Sequence, residues 1–377
     1  MVLGMPRVQK VLVVGGGIGG LCLAVALRDT GIDVDIVEIK QDWTVYGVGI
    51  IQQSNVVRAM AQLGLVDEYL AASFPFEKVA ICAPDGHLLA TLPGRRLAGP
   101  NYPANLGIAR PALHNVLTRA AIGRGARVKL GCTVNAIEEN ADAVAVTLST
   151  GERKSYDLVV GADGAHSKVR SLVFPEAPAP RFTGQGVWRY NFVRSPEVDH
   201  LLSFVGPGGA GLVPLADDLM YMYIVCTEAG NLRLPKDQLH VLMQERASVY
   251  GGIVGRIRSQ ITDPAKVVYR PVEVVMLPEP WFRGRVILIG DAAHTTSPHL
   301  GQGAGMAVED AIVLSQELSS SGALEDSLAR FMRRRFERCK FIVEKSELVG
   351  TWQMNRSPEA DIPALVNEML QRTAEPI

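Results

Sequence analysis

The sequence predicts an α/β fold in which a Rossmann-like nucleotide-binding domain is interrupted by an antiparallel β-sheet and followed by C-terminal helices. Two patterns lead to this prediction. Short apolar strands run into glycine-rich turns and then into helices both early and late in the chain, at residues 11–31 and 285–319. Between them, residues 176–280 contain aromatic and β-branched runs separated by turn residues, which is typical of antiparallel strands.

The first glycine-rich turn has the form of a dinucleotide-binding motif. A short apolar strand precedes GGGIGG, in which Gly15, Gly17 and Gly20 form G-x-G-x-x-G around Ile18. The next strand ends in Glu38, about where a ribose-binding carboxylate belongs. We expect these five residues to bind a dinucleotide. The motif alone does not separate NAD from FAD, and glycines that serve only tight packing are the alternative.

The second glycine-rich turn predicts a site for the sugar and phosphate part of a cofactor. Gly290 allows a sharp turn after a buried strand, and the Asp291 carboxylate can accept a hydrogen bond from a sugar-chain hydroxyl. The glycines that follow leave backbone N–H groups uncovered just before a helix, which suits an anionic or electron-rich cofactor edge. The cofactor-binding residues expected in this turn are Gly290, Asp291, Pro298, Gly301, Gln302, Gly303 and Ala304.

Two other glycine-containing segments are interpreted from their context. A third apolar strand leads into Asp163, which either caps the following helix or belongs to the cofactor site. Gly206, Gly208 and Gly211 in GPGGAG also fit G-x-G-x-x-G. Strand-like sequence lies on both sides of them and no helical pattern follows, so we expect a hairpin loop there.

The chain thus contains three motifs, which are GGGIGG with Glu38, the Asp163 segment and GDAAH…GQGAG. Their order and spacing resemble those of the group A flavoprotein aromatic hydroxylases, the family of para-hydroxybenzoate and salicylate hydroxylases. The resemblance spans residues 10–350 and implies non-covalent FAD. It implies that the Asp163 motif touches the FAD pyrophosphate and NAD(P)H. It also implies that Gly49 and Ile50 pass close to the isoalloxazine and that Arg110 opens a helix beside the flavin. An ordinary surface charge is the alternative for Arg110.

The resemblance also implies a reaction. In that family NADH or NADPH reduces FAD, O2 adds at the flavin C4a, and the hydroperoxide transfers oxygen to an electron-rich ring in a site that excludes water. It implies that this chain hydroxylates a small phenolic, hydroxybenzoate-like or hydroxypyridine-like substrate. A same-fold epoxidase or isoprenoid-type reductase, and a non-enzymatic flavin-binding protein, are the alternatives. The sequence contains no Gly-x-Ser-x-Gly elbow and no zinc-binding spacing.

A group that takes the phenolic proton would assist ring hydroxylation, and His299 is the first candidate. It directly follows Pro298 in the segment expected along the active face of the flavin, and histidine titrates in the required range. The alternative is a structural histidine that hydrogen-bonds a loop carbonyl. We assign a structural role to His294 in GDAAH.

Tyrosines of the predicted sheet are the other catalytic candidates. Tyr190 shares a face with Trp188, and Tyr221 shares a face with Tyr223, because side chains alternate along a strand. One of these faces should meet the substrate. Arg189 points away from Trp188 and Tyr190 and is not expected to share their pocket.

These assignments divide the chain into three regions. The FAD-binding domain is expected to be discontinuous, and residues 351–377 form a C-terminal tail or helix. The FAD-binding domain comprises residues 1–75, 101–175 and 281–350, and the substrate-binding sheet comprises residues 76–100 and 176–280.

Composition excludes several other classes of protein. The net charge is −1, which gives no electrostatic case for nucleic acid or an anionic membrane. The basic run RRRFERCK at residues 333–340 is expected to be a solvated helix face. Five cysteines without close pairs suggest a reducing cytoplasm. No signal-peptide pattern or membrane-length apolar run is present, so we expect a cytoplasmic protein, with its oligomeric state left open.

Overall fold

The structure is a computed structural model that describes residues 8–43, 45, 47–140, 142–230, 234–355 and 357–377. The strands, in chain order, are β1 (Lys10–Val14), β2 (Asp33–Glu38), β3 (Gly49–Gln52), β4 (Ser73–Phe76), β5 (Lys78–Cys82), β6 (Leu88–Pro93), β7 (Asn105–Ala109), β8 (Arg127–Leu130), β9 (Val134–Glu139), β10 (Val144–Leu148), β11 (Arg153–Tyr156), β12 (Leu158–Gly161), β13 (Arg181–Val193), β14 (Leu201–Gly206), β15 (Gly208–Pro214), β16 (Leu219–Thr227), β17 (Val268–Val274), β18 (Phe282–Arg283) and β19 (Val286–Leu288).

The α-helices lie between and after these strands. In chain order they are α1 (Ile18–Ala26), α2 (Ser54–Gln62), α3 (Val66–Ala71), α4 (Arg110–Gly123), α5 (Lys168–Val173), α6 (Leu239–Ala247), α7 (Gly252–Ile257), α8 (Asp291–His294), α9 (Gly303–Ser319), α10 (Leu324–Asn355) and α11 (Ile362–Ala374).

A six-stranded sheet forms the nucleotide-binding half, in the order β18-β19-β12-β1-β2-β8. Its strands run parallel except for the β18–β19 pair. The inner strands β1, β12 and β19 are apolar and buried, as expected of a parallel sheet covered on both faces. The first glycine turn therefore leaves the carboxyl end of a central strand, where ligands of open α/β sheets bind.

A seven-stranded sheet forms the second half, in the order β17-β13-β16-β15-β14-β5-β6. The predicted hairpin at GPGGAG joins β14 to β15. All neighbouring strands are antiparallel except β5 and β14, which run parallel. That parallel pair departs from the antiparallel prediction, because β5 joins the sheet through a long connection and not through a hairpin. The division into domains stays a prediction.

Apolar residues on one face of the seven-stranded sheet pack against α6 and α7. Trp188, Tyr190 and Met222 contribute to this core from the strands, and Met243 and Val254 contribute from the two helices. This face is closed by its own core, so any ligand must meet the opposite face. That opposite face is turned toward β3 and β7.

The C-terminal part of the chain covers the nucleotide-binding half with long helices. α9 has 17 residues and α10 has 32 residues, and α9 packs against both α1 and α10. In the described parts of the chain, no helix is both long and apolar enough to cross a membrane. The five cysteines are free.

Candidate active site

The first glycine turn is tightly packed at Gly15 and open at Gly17, just before α1 begins. Gly15 has φ +111°, and an added Cβ would lie 2.3 Å from the Ala162 carbonyl oxygen, so only glycine fits between β1 and β12. A Cβ added at Gly17 would meet no atom within 4 Å. Gly20 lies inside α1, which begins at Ile18. The backbone at the start of α1 is therefore accessible to a phosphate.

Glu38 lies directly beside this turn. Its carboxylate accepts a hydrogen bond of 2.8 Å from the Gly16 N–H and one of 3.0 Å from the Lys40 N–H. A carboxylate has further lone pairs available, so these two bonds do not prevent it from accepting a ribose hydroxyl. The Trp43 indole donates to the Gly16 carbonyl at 3.2 Å and covers this side of the turn.

Asp163 caps α5, which is one of the two alternatives expected for it. Its carboxylate accepts hydrogen bonds from the Lys168 and Val169 backbone N–H groups at 2.7 and 3.1 Å. Ser167 Oγ also donates to it, at 2.5 Å. Its Cα lies against the glycine turn, 2.9 Å from a Cβ built at Gly15. The side chain is thus occupied by the helix cap, and a cofactor contact stays a prediction.

The Gly290–Asp291 corner lies at the carboxyl end of β19. Gly290 has φ +57° and ψ −142°, a conformation that is essentially restricted to glycine. Asp291 begins α8 and is exposed to solvent, yet it is crowded by protein atoms that raise the pKa of its carboxyl, an effect opposed by the charges of His294 and Arg110. The exposed carboxylate is accessible to a bound ligand that could donate a hydrogen bond to it.

A buried ionic network fixes this corner, and Asp310 on α9 is at its centre. One Asp310 oxygen accepts from the Gly290 N–H at 2.9 Å and contacts His294 Nε2 at 2.6 Å. The other accepts from Arg335 Nε at 2.7 Å. Burial raises the pKa of Asp310, but the charges of His294 and Arg335 outweigh burial and hold it well below its usual value. The structural role expected for His294 fits this arrangement.

Sequence reasoning missed this network. The run at residues 333–340 was expected to be a solvated helix face, but this is wrong for Arg335 and Arg338, which are 0% and 6% exposed. Arg335 Nη1 and Arg338 Nε each donate to Glu309 at 2.8 Å. The available signal was the pair of acids at Glu309 and Asp310 within an apolar helix pattern, since buried acids require buried cations.

The segment before α9 is also held by polar side chains. Pro298 begins a 3₁₀ turn that ends at Gly301, which has φ +65°. Gln302 is buried, accepts from Asn55 Nδ2 at 2.9 Å and donates to the side chain of Gln53. The Gln302 side chain therefore serves the scaffold, and its cofactor contact could come only from the backbone. Gly303 and Ala304 form the first residues of α9.

β3 brings the predicted flavin-side residues next to Arg110. Gly49 pairs with Ala109, and Ile50 pairs with Ile108, in the β3–β7 ladder. Arg110 opens α4 as predicted, and its N–H donates to the Val48 carbonyl at 3.0 Å. Burial lowers the pKa of the Arg110 guanidinium, while the neighbouring Tyr221 and Asp291 raise it. Arg110 thus lies between the Gly290–Asp291 corner and the seven-stranded sheet.

The open face of the sheet presents Tyr221, Tyr223 and Arg189 together. Arg189 pairs directly with Tyr223 across β13 and β16. A Cβ built at Gly49 would lie 2.3 Å from the Tyr221 ring, so that ring packs directly on β3. Tyr190 lies on the closed face, in the core against α6 and α7, and is not brought to this site. Arg189 does point away from Tyr190, as expected, and it lies on the face of the sheet that carries Tyr221 and Tyr223.

His299 lies at the edge of this site and contacts α10. Its Nδ1 shares a hydrogen bond of 2.8 Å with Ser297 Oγ, and Gln353 lies beside the ring. A Cβ built at Gly350 would be 2.8 Å from His299 Cε1 and 2.6 Å from Gln185 Oε1, so the helix packs tightly here. Burial lowers the pKa of His299 to about 4. Among the described residues, Nε2 of the ring has no hydrogen-bond partner.

These observations fit a bound FAD. The open backbone at Gly17 suits the pyrophosphate, and Glu38 lies where a ribose hydroxyl would be accepted. The Gly19 position packs against Ala307, so the amino ends of α1 and α9 lie close together. Asp291 is exposed and follows Gly290, which packs against Ala307 of α9, so a ribitol hydroxyl could donate to it there. The donor and acceptor types match a dinucleotide with a sugar-alcohol chain.

Comparison with known proteins supports the same cofactor. The family model described as FAD binding domain matches residues 8–344. Aurachin C monooxygenase/isomerase of Stigmatella aurantiaca is 34% identical over 90% of this chain and 88% of its own. The 2-heptyl-3-hydroxy-4(1H)-quinolone synthase of Pseudomonas aeruginosa is 32% identical over 93% and 91% of the two chains. FAD-dependent urate hydroxylase of Klebsiella pneumoniae is 30% identical over 90% and 88%.

The solved structures agree in fold. Klebsiella pneumoniae HpxO complexed with FAD and uric acid superposes with a TM-score of 0.84, covering 98% of this chain and 97% of that chain at 26% identity. The predicted fold class is confirmed. Because the FAD-binding family model covers most of the chain and a relative of 30% identity is an FAD-dependent urate hydroxylase, the chain belongs to the FAD-dependent aromatic hydroxylase family.

Proposed function

We propose that this protein is an FAD-dependent monooxygenase that uses NADH or NADPH and O2 to hydroxylate a small aromatic or heteroaromatic ring. The observation that carries the proposal is the position of Arg110. Its backbone N–H donates to the Val48 carbonyl next to Gly49, which packs on the Tyr221 ring of the sheet, and the charges of Tyr221 and Asp291 both raise the pKa of its guanidinium. A ring held there would lie between the sheet and the flavin.

Bound FAD supplies the redox and oxygen-activating chemistry, and the protein supplies binding, orientation and exclusion of water. The amide groups at the start of α1 hold phosphate, and Asp291 accepts a sugar-chain hydroxyl. Val187, Val225 and Val272 form a small buried apolar cluster against Tyr223 on the face of the sheet that carries Arg189. Apolar side chains on this face favour a site from which water is excluded.

The pKa and the contacts of His299 make it a poor candidate for the base that takes the phenolic proton. With a pKa of about 4, His299 is neutral at pH 7. It is nevertheless too weak a base to match a phenol, whose pKa is near 10. Its contacts with Ser297 and Gly350 favour the structural alternative. Tyr221 and Tyr223 stay candidates for substrate contact, because both lie on the open face.

A substrate screen tests the proposal. The FAD-loaded protein is incubated with NADH or NADPH and with phenols, hydroxybenzoates, aminohydroxybenzoates, hydroxypyridines, quinolones and purines, the last groups being chosen from the relatives' names. We expect at least one ring to accelerate NAD(P)H oxidation and to give a product that carries one atom from 18O2.

The alternatives predict different results in the same screen. An isoprenoid-type reductase would oxidise NAD(P)H without O2, and an epoxidase would leave every aromatic ring of the screen without 18O. A flavin-binding protein without activity would show no ligand-dependent oxidation. If no ring is labelled and peroxide accounts for all NAD(P)H consumed, the proposed hydroxylation is wrong.

A further inference from the structure

The strand β6 forms one edge of the seven-stranded sheet and carries apolar side chains in solvent. It pairs with β5 on one side, and in the described part of the chain no strand pairs with its other side. All six of its residues are exposed. Leu88, Leu89 and Leu92 are 53%, 56% and 41% exposed. The edge therefore offers an apolar patch together with a row of free backbone groups.

The other edge strands of the two large sheets are protected against pairing. β17 contains Arg270, Pro271 and Glu273, and charges or proline in an edge strand hinder the addition of another strand. β8 contains Arg127 and Lys129 within four residues, and β18 is only two residues long. β6 has the sequence LLATLP, which contains no charge and has its proline at the last position. Among these four edges, β6 is the one that is suited to pairing.

The free backbone groups of β6 are centred near Thr91. The Gly94 N–H donates to the Glu77 carbonyl at 2.7 Å, so the Gly94 backbone faces β5. Backbone groups alternate in direction along an antiparallel strand, and those of Thr91, three residues earlier, therefore face away from the sheet. A bulge at Leu89 interrupts the register with β5, whereas residues 90–93 pair regularly. The regular part of the free edge thus has Thr91 near its middle.

The two ends of β6 carry charges of opposite sign. Asp85 precedes the strand, Arg95 follows it, and both are exposed. Arg96 is paired with Glu77 at 2.9 Å, but Arg95 forms no ion pair in the parts of the chain that the structure describes. When two identical strands pair in antiparallel orientation, the Asp85 end of each copy meets the Arg95 end of the other. The edge is therefore complementary to itself in charge as well as in its apolar side chains.

From this geometry we propose that β6 is a self-association surface, to which a second copy of this chain adds its own β6 in antiparallel orientation. A two-fold axis near Thr91 relates the two strands, and the two seven-stranded sheets become one continuous sheet. Thr91 then lies opposite Thr91 of the partner subunit, and Ala90 lies opposite Leu92 of the partner subunit. The assembly is a closed dimer, because each copy contributes the same edge.

The oligomeric state of the full-length, FAD-loaded protein tests this proposal. Sedimentation equilibrium is measured between about 0.1 and 100 µM protein, and we expect a monomer–dimer equilibrium. Leu92→Lys and Thr91→Lys should each raise the dissociation constant about 10- to 100-fold, because each dimer then holds two added positive charges near its two-fold axis. Leu172→Lys is the matched control. Leu172 lies on α5 and is 40% exposed, against 41% for Leu92, so its substitution should leave the dissociation constant unchanged.

Further variants test the orientation and the register of the two strands. Asp85→Arg and Arg95→Asp should each weaken the dimer, whereas the double variant should associate more tightly than either, because both ion pairs are restored. Thr91→Cys should give a disulfide-linked dimer on mild oxidation. Residues directly opposite in a hydrogen-bonded antiparallel pair have Cα atoms about 5.5 Å apart, which is within the range for a disulfide. Leu172→Cys is the control and should give no linked dimer on a non-reducing denaturing gel.

Several results would overturn the proposal. A protein that stays monomeric up to about 100 µM would show that the edge is not used for self-association. A dimer with an unchanged dissociation constant in both lysine variants, or one that Thr91→Cys does not link, would lie on another surface. Monomeric protein that binds phosphatidylcholine vesicles, and loses this binding in Leu92→Lys, would mean that the leucines meet lipid. No measurement here uses NAD(P)H or an aromatic substrate, so the outcome is independent of the proposed hydroxylation.

Discussion

Replacement of Asp310 by Asn should weaken both the fold and the cofactor site. The carboxylate is fully buried and bonds Gly290, His294 and Arg335. The amide keeps the shape but loses the charge, which leaves the Arg335 guanidinium buried with only Glu309 as a counter-ion. Breaking one partner of a buried ion pair typically costs about 3–5 kcal/mol.

This cost can be expressed as a melting temperature. The unfolding entropy of globular proteins, scaled to 377 residues, is about 0.8 kcal/mol per kelvin if the chain unfolds as one unit. The Asn variant should therefore melt about 4–6 °C below the wild type. Scanning calorimetry of the FAD-free protein measures this shift directly. Glu138→Gln is the control, because Glu138 pairs with Arg153 at the surface, where such pairs contribute at most about 1 kcal/mol.

The pH dependence gives a second check on the same network. Asp310 has a depressed pKa when folded, so its stabilisation is present above the ordinary value near 3.8 and is lost as pH falls below it. Burial lowers the pKa of His294, but the neighbouring Cys339 and Asp310 raise it well above 6.5, so its stabilisation is lost as pH rises beyond that value. The wild-type advantage should peak between about pH 4 and 6.5. A melting difference below about 1 °C, or one that does not vary with pH, would refute the reasoning.

Three other substitutions test the site residues, and Tyr190→Phe serves as a control for the last of them. Asp291→Ala should weaken the binding of non-covalent FAD by about 1–3 kcal/mol, measured by equilibrium dialysis. Unchanged affinity would mean that the ribitol contact is misassigned. His299→Ala should lower the melting temperature or FAD content while product formed per NAD(P)H stays the same per bound flavin. A rate loss of about 10²–10⁴-fold with more peroxide would instead restore His299 as the base. If the Tyr221 hydroxyl donates one hydrogen bond to the substrate, Tyr221→Phe should change turnover of the identified substrate about tenfold. Tyr190→Phe should leave turnover unchanged. Equal effects of the two substitutions would contradict the assigned faces of the sheet.

The cofactor half of the fold was predictable because its signals are local. GGGIGG and GDAAH each combine a strand, a turn and a helix within about twenty residues, and each turn requires glycine at a stated position. The face of the sheet that meets substrate was less accessible. Alternation separates Tyr190 from Arg189 but does not say which face the helices cover, since that depends on α6 and α7.

The ionic network was not predicted, because its members come from distant parts of the chain. Asp310 and Arg335 are 25 residues apart and lie on different helices. A basic run such as residues 333–340 has the same composition whether it faces solvent or a buried acid. Only the packing of α9 against α10 distinguishes the two. The parallel β5–β14 pair was missed for a similar reason, since long connections leave no turn signal.

The length of α10 has a mechanical consequence. At 1.5 Å per residue the helix is about 48 Å long, and Arg335 is about 22 Å from Gly350 along it. At Arg335 the helix is bonded to Asp310, which holds the Gly290–Asp291 corner. At Gly350 it packs against Gln185 and against the loop that carries His299. The sheet therefore cannot rotate away from the Gly290–Asp291 corner as a separate body. Such a rotation would bend α10 or break its contacts at one of the two positions. α10 therefore fixes the distance between the Gly290–Asp291 corner and the seven-stranded sheet.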